Sequence, residues 1–179
     1  MMVIWRARQT LRRFIGNRAG AAAVEFALVV PMLLGLIFST IETGWVMVQT
    51  IMLDRALDTT VRELRIGTLT DPTQAKVRQR VCDQAMVLVD CMQTLALEMV
   101  VINAEADYPE DSERCIDRST GIEPVLRFNA GARAQTVFVR ACFAVAPMTP
   151  LLGVGLALPK DGSGAYRIMA KSGFVNEPQ

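Results

Sequence analysis

Residues 20–53 read GAAAVEFALVVPMLLGLIFSTIETGWVMVQTIML, and this apolar stretch decides the fold. The sixteen residues from Phe26 to Ile41 carry no charge. As a helix they rise roughly 24 Å, whereas the hydrocarbon core of a bilayer is roughly 30 Å thick. A spanning helix must therefore continue past Glu42 through Val48. We predict a transmembrane helix over residues 21–53 and expect Glu42 to reach the far interface.

Arginines precede the apolar stretch and predict its orientation. Residues 1–20 contain five arginines and no acidic residue, whereas the rest of the chain has 18 acidic residues against the remaining 14 basic ones. Excess arginine on one flank of a spanning helix places that flank in the cytoplasm. Residues 1–20 are thus predicted to be a basic cytoplasmic leader. Beside an apolar helix the arginines indicate orientation rather than nucleic-acid binding, so we expect no nucleic-acid partner.

Glu25 is a carboxylate inside the predicted span, where a charge near the bilayer centre costs on the order of 2.5 kcal/mol or more. If the chain were cut after Gly20, Ala21 would carry a free amine four residues before Glu25, on the same helical face. An α-amine is largely protonated at neutral pH. It would neutralise the carboxylate, either within one chain or across to a neighbouring subunit.

A basic leader that ends in Gly20, four apolar residues, then Glu25 and the aromatic Phe26 resembles a prepilin-peptidase site of the type IVb (Flp) class. The resemblance implies removal of the leader on the cytoplasmic side, between Gly20 and Ala21, and a role for Glu25 in guiding subunits into a pilus-like assembly. Flp pilins usually carry Tyr at the position of Phe26 and are much shorter than this chain.

The length of the chain is instead similar to that of the TadE-like pseudopilins of the tight-adherence (Tad) system. Residues 146–153 (APMTPLLG) and 176–178 (NEP) are also reminiscent of TadE-like domains. This resemblance implies a pseudopilin, or minor pilin-like component, that acts in Tad pilus assembly and adherence. Its place would be the bacterial inner membrane, with the C-terminal domain in the periplasm. The implied partners are the lipid bilayer, a prepilin peptidase, other pilin or pseudopilin subunits and the inner-membrane Tad assembly platform.

The alternative is an uncleaved, single-pass membrane anchor that carries an extracytoplasmic binding or envelope module. A conventional secretory signal fits less well, because its small-residue cleavage site should follow the apolar core, whereas Ala19-Gly20-Ala21 precedes it.

Residues 54–179 predict an extracytoplasmic α+β domain. The first helix continues beyond the membrane and stops near Gly67, and a second helix begins at Asp71 as the N-cap with Pro72 in the first position. Strands are predicted over residues 95–102, 135–145 and 166–175, forming a small antiparallel sheet on which the second helix packs. The apolar stretch 151–158 is too short to cross a membrane. The helical faces predicted to be buried carry Leu53, Leu57, Val61 and Leu64, then Val77, Val81, Ala85 and Leu88.

All four cysteines lie in the predicted outer domain: Cys82, Cys91, Cys115 and Cys142. Disulfides persist in oxidising compartments, and four cysteines allow three connectivities. We favour Cys82–Cys91 with Cys115–Cys142, because Cys82 lies in the second helix and Cys91 just beyond its end.

Residues for catalysis or for holding a cofactor are sparse. The chain has no histidine and no C-x-x-C, and no glycine-rich loop with lysine to cradle phosphate. Asp54 and Asp58 form a carboxylate pair that we interpret as a solvated helix face. The acidic residues of 105–113 lack the spacing of a calcium loop and are interpreted as a solvated loop. We expect no enzymatic activity, no metal and no cofactor.

Overall fold

The computed structural model describes residues 20–109, 115–116 and 126–177, and its first element is one continuous helix of 45 residues, α1 (Ala21–Arg65). At 1.5 Å per residue α1 is roughly 68 Å long, about twice the thickness of a bilayer core. The predicted continuation of the helix past residue 53 is therefore confirmed. Gly67 ends it in the left-handed conformation (φ 73°), and the Thr68 amide donates to the Glu63 carbonyl at 3.0 Å.

The second helix, α2 (Gln74–Gln84), begins later than predicted. Asp71 is not the N-cap, because its backbone lies in the left-handed region (φ 49°), whereas an N-cap residue is extended. Thr73 takes that place, and its hydroxyl accepts a hydrogen bond from the Lys76 amide at 3.3 Å. A single turn, α3 (Cys91–Thr94), then leads directly into the sheet.

Three antiparallel strands form the sheet in the order β1 (Leu95–Ile102), β2 (Thr136–Val145) and β3 (Tyr166–Val175). All three predicted strands are confirmed, with β2 starting one residue late because Gln135 belongs to the preceding turn. Phe128 makes an isolated parallel bridge with Met99 on the other side of β1.

The main core lies between one face of the sheet and the two long helices. The predicted α1 stripe is buried, and so are Val77 and Val81 of α2, so both helical periodicities are confirmed. Ala85 and Leu88, predicted to continue the buried face of the second helix, are also buried but lie past its end at Gln84. Burial of each such side chain contributes roughly 1.5–3 kcal/mol, which is why α1 is fixed to the sheet from about its middle onward. The core side chains from the helices are Leu53, Leu57, Val61, Leu64, Val77 and Val81, and those from the strands include Leu97, Met99, Val137, Val139 and Phe174.

The opposite face of the sheet carries a buried ion pair. Glu98 and Arg140 stand directly across from each other in β1 and β2, with Arg140 Nη2 2.6 Å from Glu98 Oε2. Arg127 approaches the same carboxylate at 3.4 Å from a more exposed position. Cys142 and Ile116 are buried beside this pair, so residues 115–116 help to cover the second face.

Candidate membrane and assembly site

The first half of α1 exposes apolar side chains on every side. Its most apolar 18-residue window is not buried at all within the folded chain, and within the described residues α1 is the one helix long and apolar enough to cross a membrane. Successive helical residues point about 100° apart, so a run of exposed apolar residues surrounds the axis. Such a surface is typical of a membrane anchor. The exposed side chains include Val24, Phe26, Leu28, Val29, Met32, Leu33, Leu36 and Ile37.

The predicted cleavage and assembly residues lie at the start of this exposed half. Gly20 is the N-cap of α1, and a side chain built on it would meet no atom of the described residues within 4 Å. Glu25 follows in the second turn and is exposed, as is Phe26 at 70%. Within the described residues no hydrogen bond or ion pair holds Glu25. The predicted leader, residues 1–19, lies outside the described residues.

Glu42 has the opposite environment. It is 0% exposed, and its carboxylate accepts hydrogen bonds from the Met148 amide at 3.2 Å, the Thr149 amide at 2.8 Å and the Thr149 hydroxyl at 3.0 Å. From the sequence we expected Glu42 to reach the interface. Its contact with Met148 and Thr149 could not be foreseen, because more than 100 residues separate Glu42 from them. The nearest signal is the string APMTPLLG, in which Pro147 and Pro150 bracket the two donor residues.

The segment after Thr149 continues along α1 toward the apolar half. We name residues 148–158 the apolar loop; it contains one short helix, α4 (Gly153–Ala157). Gly153 has φ 55°, and a Cβ added to it would lie 3.2 Å from the Gly35 carbonyl oxygen and would collide with Ser39. Only glycine therefore permits this approach. Ser39 already donates its hydroxyl to the Gly35 carbonyl at 2.6 Å.

A second polar contact, about two helical turns after Glu42, joins α1 to the sheet. The buried Tyr166 hydroxyl donates to Gln49 Oε1 at 3.1 Å. Burial, with a smaller contribution from the charge of Glu42, raises the pKa of Tyr166 to about 12. Tyr166 is thus a neutral hydrogen-bond donor at physiological pH.

The carboxylates farther along α1 are tied to the domain surface. Asp58 accepts from the Ser172 hydroxyl at 2.9 Å, while burial and the neighbouring Asp58 charge raise the pKa of Asp54. Glu63 accepts two hydrogen bonds from Arg80 of α2, at 2.7 and 2.6 Å, and these lower the pKa of Glu63. These contacts dock α1 onto α2 and β3.

The cysteines form two disulfides, Cys82–Cys91 and Cys115–Cys142, the connectivity favoured from the sequence. Their Cα atoms lie 5.6 and 5.2 Å apart, within the range that a disulfide spans. The first joins the end of α2 to α3, and the second joins Cys115 to the second face of the sheet.

Acidic side chains do not converge on a metal site in the described part of the chain, where no group of three or more histidine, cysteine or acidic residues could hold an ion. In the acidic segment, Asp107 accepts hydrogen bonds from the Asn103 and Ala104 amides instead. Glu110, Asp111 and Glu113 lie outside the described residues.

The family described as TadE-like protein matches residues 20–62. The match starts at Gly20, includes Glu25 and Glu42, and confirms the TadE-like resemblance predicted from the sequence. It suggests a role in Tad pilus assembly and a place in the cell envelope. Residues 146–153 and 176–178 lie outside the match, so their resemblance to TadE-like domains stays a prediction. No curated protein and no solved structure matches the chain.

Proposed function

We propose that this chain is a pseudopilin, or minor pilin-like component, of Tad (Flp, type IVb) pilus biogenesis. A prepilin peptidase removes the leader after Gly20, and the mature chain then takes part in pilus assembly and adherence. The observation that carries the proposal is the position of Gly20 and Glu25 at the start of an exposed apolar helix, inside the TadE-like match.

The arginine-rich leader and the disulfides of the folded domain together support one orientation of the chain in the membrane. The arginine-rich leader favours a cytoplasmic N-terminus, and the disulfides favour an oxidising compartment such as the periplasm for the folded domain. We therefore place the protein in the bacterial inner membrane as a single-pass chain. Its proposed partners there are the peptidase, other pilin subunits and the Tad assembly platform. The role is structural rather than enzymatic.

The charge pair is the chemical part of the proposal. After cleavage the Ala21 ammonium lies four residues before Glu25 on one face of α1. In a bundle of packed helices a buried carboxylate needs a counter-charge, and the new amine supplies it. Glu25 would then favour correctly processed subunits, because an uncleaved neighbour has no amine at that position.

The first experiment measures the intact mass of the full chain from membranes with and without an active prepilin peptidase. We expect Ala21 as the first residue only where the peptidase is active. Recovery of the full-length chain in its presence would overturn the cleavage step and favour the uncleaved, membrane-anchored binding or envelope module.

The second experiment compares co-isolation with pilus components for wild type, Glu25→Val and a matched swap, Val24→Glu with Glu25→Val. The swap keeps the composition but turns the carboxylate about 100° around the helix. We expect both variants to be cleaved, to form their disulfides and to lose co-isolation. Normal co-isolation of cleaved Glu25→Val would rule out the charge pair.

A further inference from the structure

The apolar loop presents leucines to the outside, at the same level as the proposed membrane span. Leu151 is 80% exposed and Leu156 is 60% exposed, with Met148 and Leu152 also exposed beside them. Other parts of the loop are firmly held. Gly155 is buried against Thr149, and Lys160 donates to the Pro150 carbonyl at 3.2 Å where the loop returns to the domain. The exposed leucines therefore lie on a loop that these contacts hold in place.

The contact with Gly35 and Ser39 sets the depth of the loop relative to the bilayer. The uncharged run alone is too short to span, but if the proposed Ala21–Glu25 charge pair lets the hydrocarbon begin near Ala21, a core of roughly 30 Å takes up about 20 helical residues and ends near Thr40 rather than beyond Glu42. Gly35 and Ser39 then lie up to about 8 Å inside that boundary, and Glu42 about 3 Å outside it. Trp45, one turn further on, has the residue type enriched at membrane interfaces.

We infer that the apolar loop inserts its leucines into the outer leaflet of the membrane that α1 spans. Interfacial elements bury apolar side chains about 5–10 Å into this layer, which agrees with the depth of Gly153 beside Gly35. The surface is continuous with the exposed apolar half of α1, so acyl chains that surround α1 also reach Leu151 and Leu156. Glu42 holds the base of the loop at the interface, where its carboxylate is satisfied by Met148 and Thr149.

The consequence is a second membrane contact that fixes the outer domain against the bilayer. A helix alone leaves its domain free to rotate and tilt, whereas a loop inserted on one side of α1 defines which face of the domain meets the lipid. This inference rests on the proposed membrane span.

Tryptophan quenching in lipid vesicles tests the insertion. The full chain is reconstituted in phosphatidylethanolamine and phosphatidylglycerol with added dibrominated phosphatidylcholine, and the native Trp5 and Trp45 are replaced by Phe. The reporters are Leu151→Trp and, as a second loop position, Leu156→Trp. Leu36→Trp reports the span, and Met86→Trp reports an exposed apolar site on the domain. Exposed positions are chosen so that the new ring does not disturb the core.

We expect the two loop reporters to show blue-shifted emission and strong quenching, greater with bromines near the headgroup than near the chain end. Leu36→Trp should also be quenched, and Met86→Trp should not. Loop reporters that behave like Met86→Trp while Leu36→Trp is quenched would overturn the inference and leave the span intact. An unquenched Leu36→Trp would overturn the span itself. A blue shift without quenching that disappears on dilution with lipid would mean that another copy covers the loop, and would also overturn the inference.

Discussion

The two halves of α1 have the same backbone but different surroundings. From Val24 to Leu34 the helix turns apolar side chains outward on all sides, while from Leu53 to Leu64 the apolar residues are confined to one buried stripe. Their glutamates differ in the same way: Glu25 is exposed, and Glu42 is enclosed by the Met148 and Thr149 amides. One half is complementary to lipid or to other helices, and the other half to the domain's own sheet.

This difference shows where the fold ends and the anchor begins. α1 is helical from Ala21 to Arg65, and Pro31, which has no amide to donate, lies within the exposed half. The helical backbone therefore does not mark the boundary. The boundary lies between Gly35 and Glu42, where the apolar loop is the first part of the outer domain to contact the helix. Substitutions on either side should therefore have unequal effects on the stability of the domain.

Truncation of a leucine in each half gives the largest contrast. Leu57→Ala should lower the free energy of unfolding of the domain by about 2–5 kcal/mol, because it leaves a cavity in the core. Leu36→Ala should leave it unchanged, because Leu36 touches no part of the core. Urea unfolding of the full chain in detergent, followed by far-UV circular dichroism, measures both. Equal losses would mean that the two halves are not separate.

Removal of each glutamate gives the next largest contrast. Glu42→Ala leaves the part-buried amides of Met148 and Thr149 without an acceptor and should cost about 1–3 kcal/mol. Glu42→Gln keeps one acceptor oxygen and should cost less. Glu25→Ala, as the control in the exposed half, should leave the unfolding of the domain unchanged. A Glu42→Ala domain as stable as wild type would contradict the role assigned to this contact.

Tyr166 should make the stability of the domain depend on pH, an effect that the exposed half of α1 does not contribute. The folded chain holds the Tyr166 proton more tightly than the unfolded chain, since its pKa is raised to about 12. The stability that this contributes is present below about pH 10 and is lost as the pH rises through about 12. Tyr166→Phe, compared with wild type in alkaline unfolding titrations, should remove this part of the pH dependence. If the stabilities of the two proteins change with pH in parallel, Tyr166 does not contribute this pH dependence.

The Glu63–Arg80 pair should give the smallest effect, because it is half exposed. Glu63→Gln should cost about 0.2–1 kcal/mol at neutral pH. The pKa of Glu63 is lowered in the folded chain, so this contribution is present above the pKa of an unfolded glutamate and is lost as the pH falls through the lowered value. The difference between variant and wild type should therefore vanish in acid, and a constant difference down to low pH would contradict the ion pair.

Periodicity was sufficient to predict the existence of α1, α2 and the three strands. Leu53, Leu57 and Val61 repeat with the period of a helix, and the alternation from Val137 to Val145 identifies β2, because each local pattern reflects one buried face. The Gly20–Glu25 pattern could be recognised because all its parts lie within one short stretch, and its role stays a prediction. The Asp71 cap was predicted wrongly because two neighbouring polar residues could each cap α2, and the backbone angle decides between them.

Contacts between distant segments could not be predicted in this way. The carboxylate of Glu42 and the amides of Met148 and Thr149 meet only because the sheet returns the chain to the middle of α1. Backbone amides leave no signature in a sequence, and a glutamate in an apolar stretch is equally compatible with an interface. The close approach of Gly153 to Gly35 could not be predicted either, because a glycine in a sequence does not indicate which distant residue it contacts.

Nitroxide scanning of α1 in lipid vesicles tests most directly whether Glu42 separates a lipid-facing half from a domain half. The native cysteines are paired, so a single new cysteine is the only free thiol to label. Labels at Leu28, Met32 and Leu36 should be relaxed by oxygen and protected from a water-soluble nickel complex, whereas a label at Met86 should be accessible to nickel. Nickel access at Leu28, Met32 and Leu36 equal to that at Met86 would contradict the division of α1.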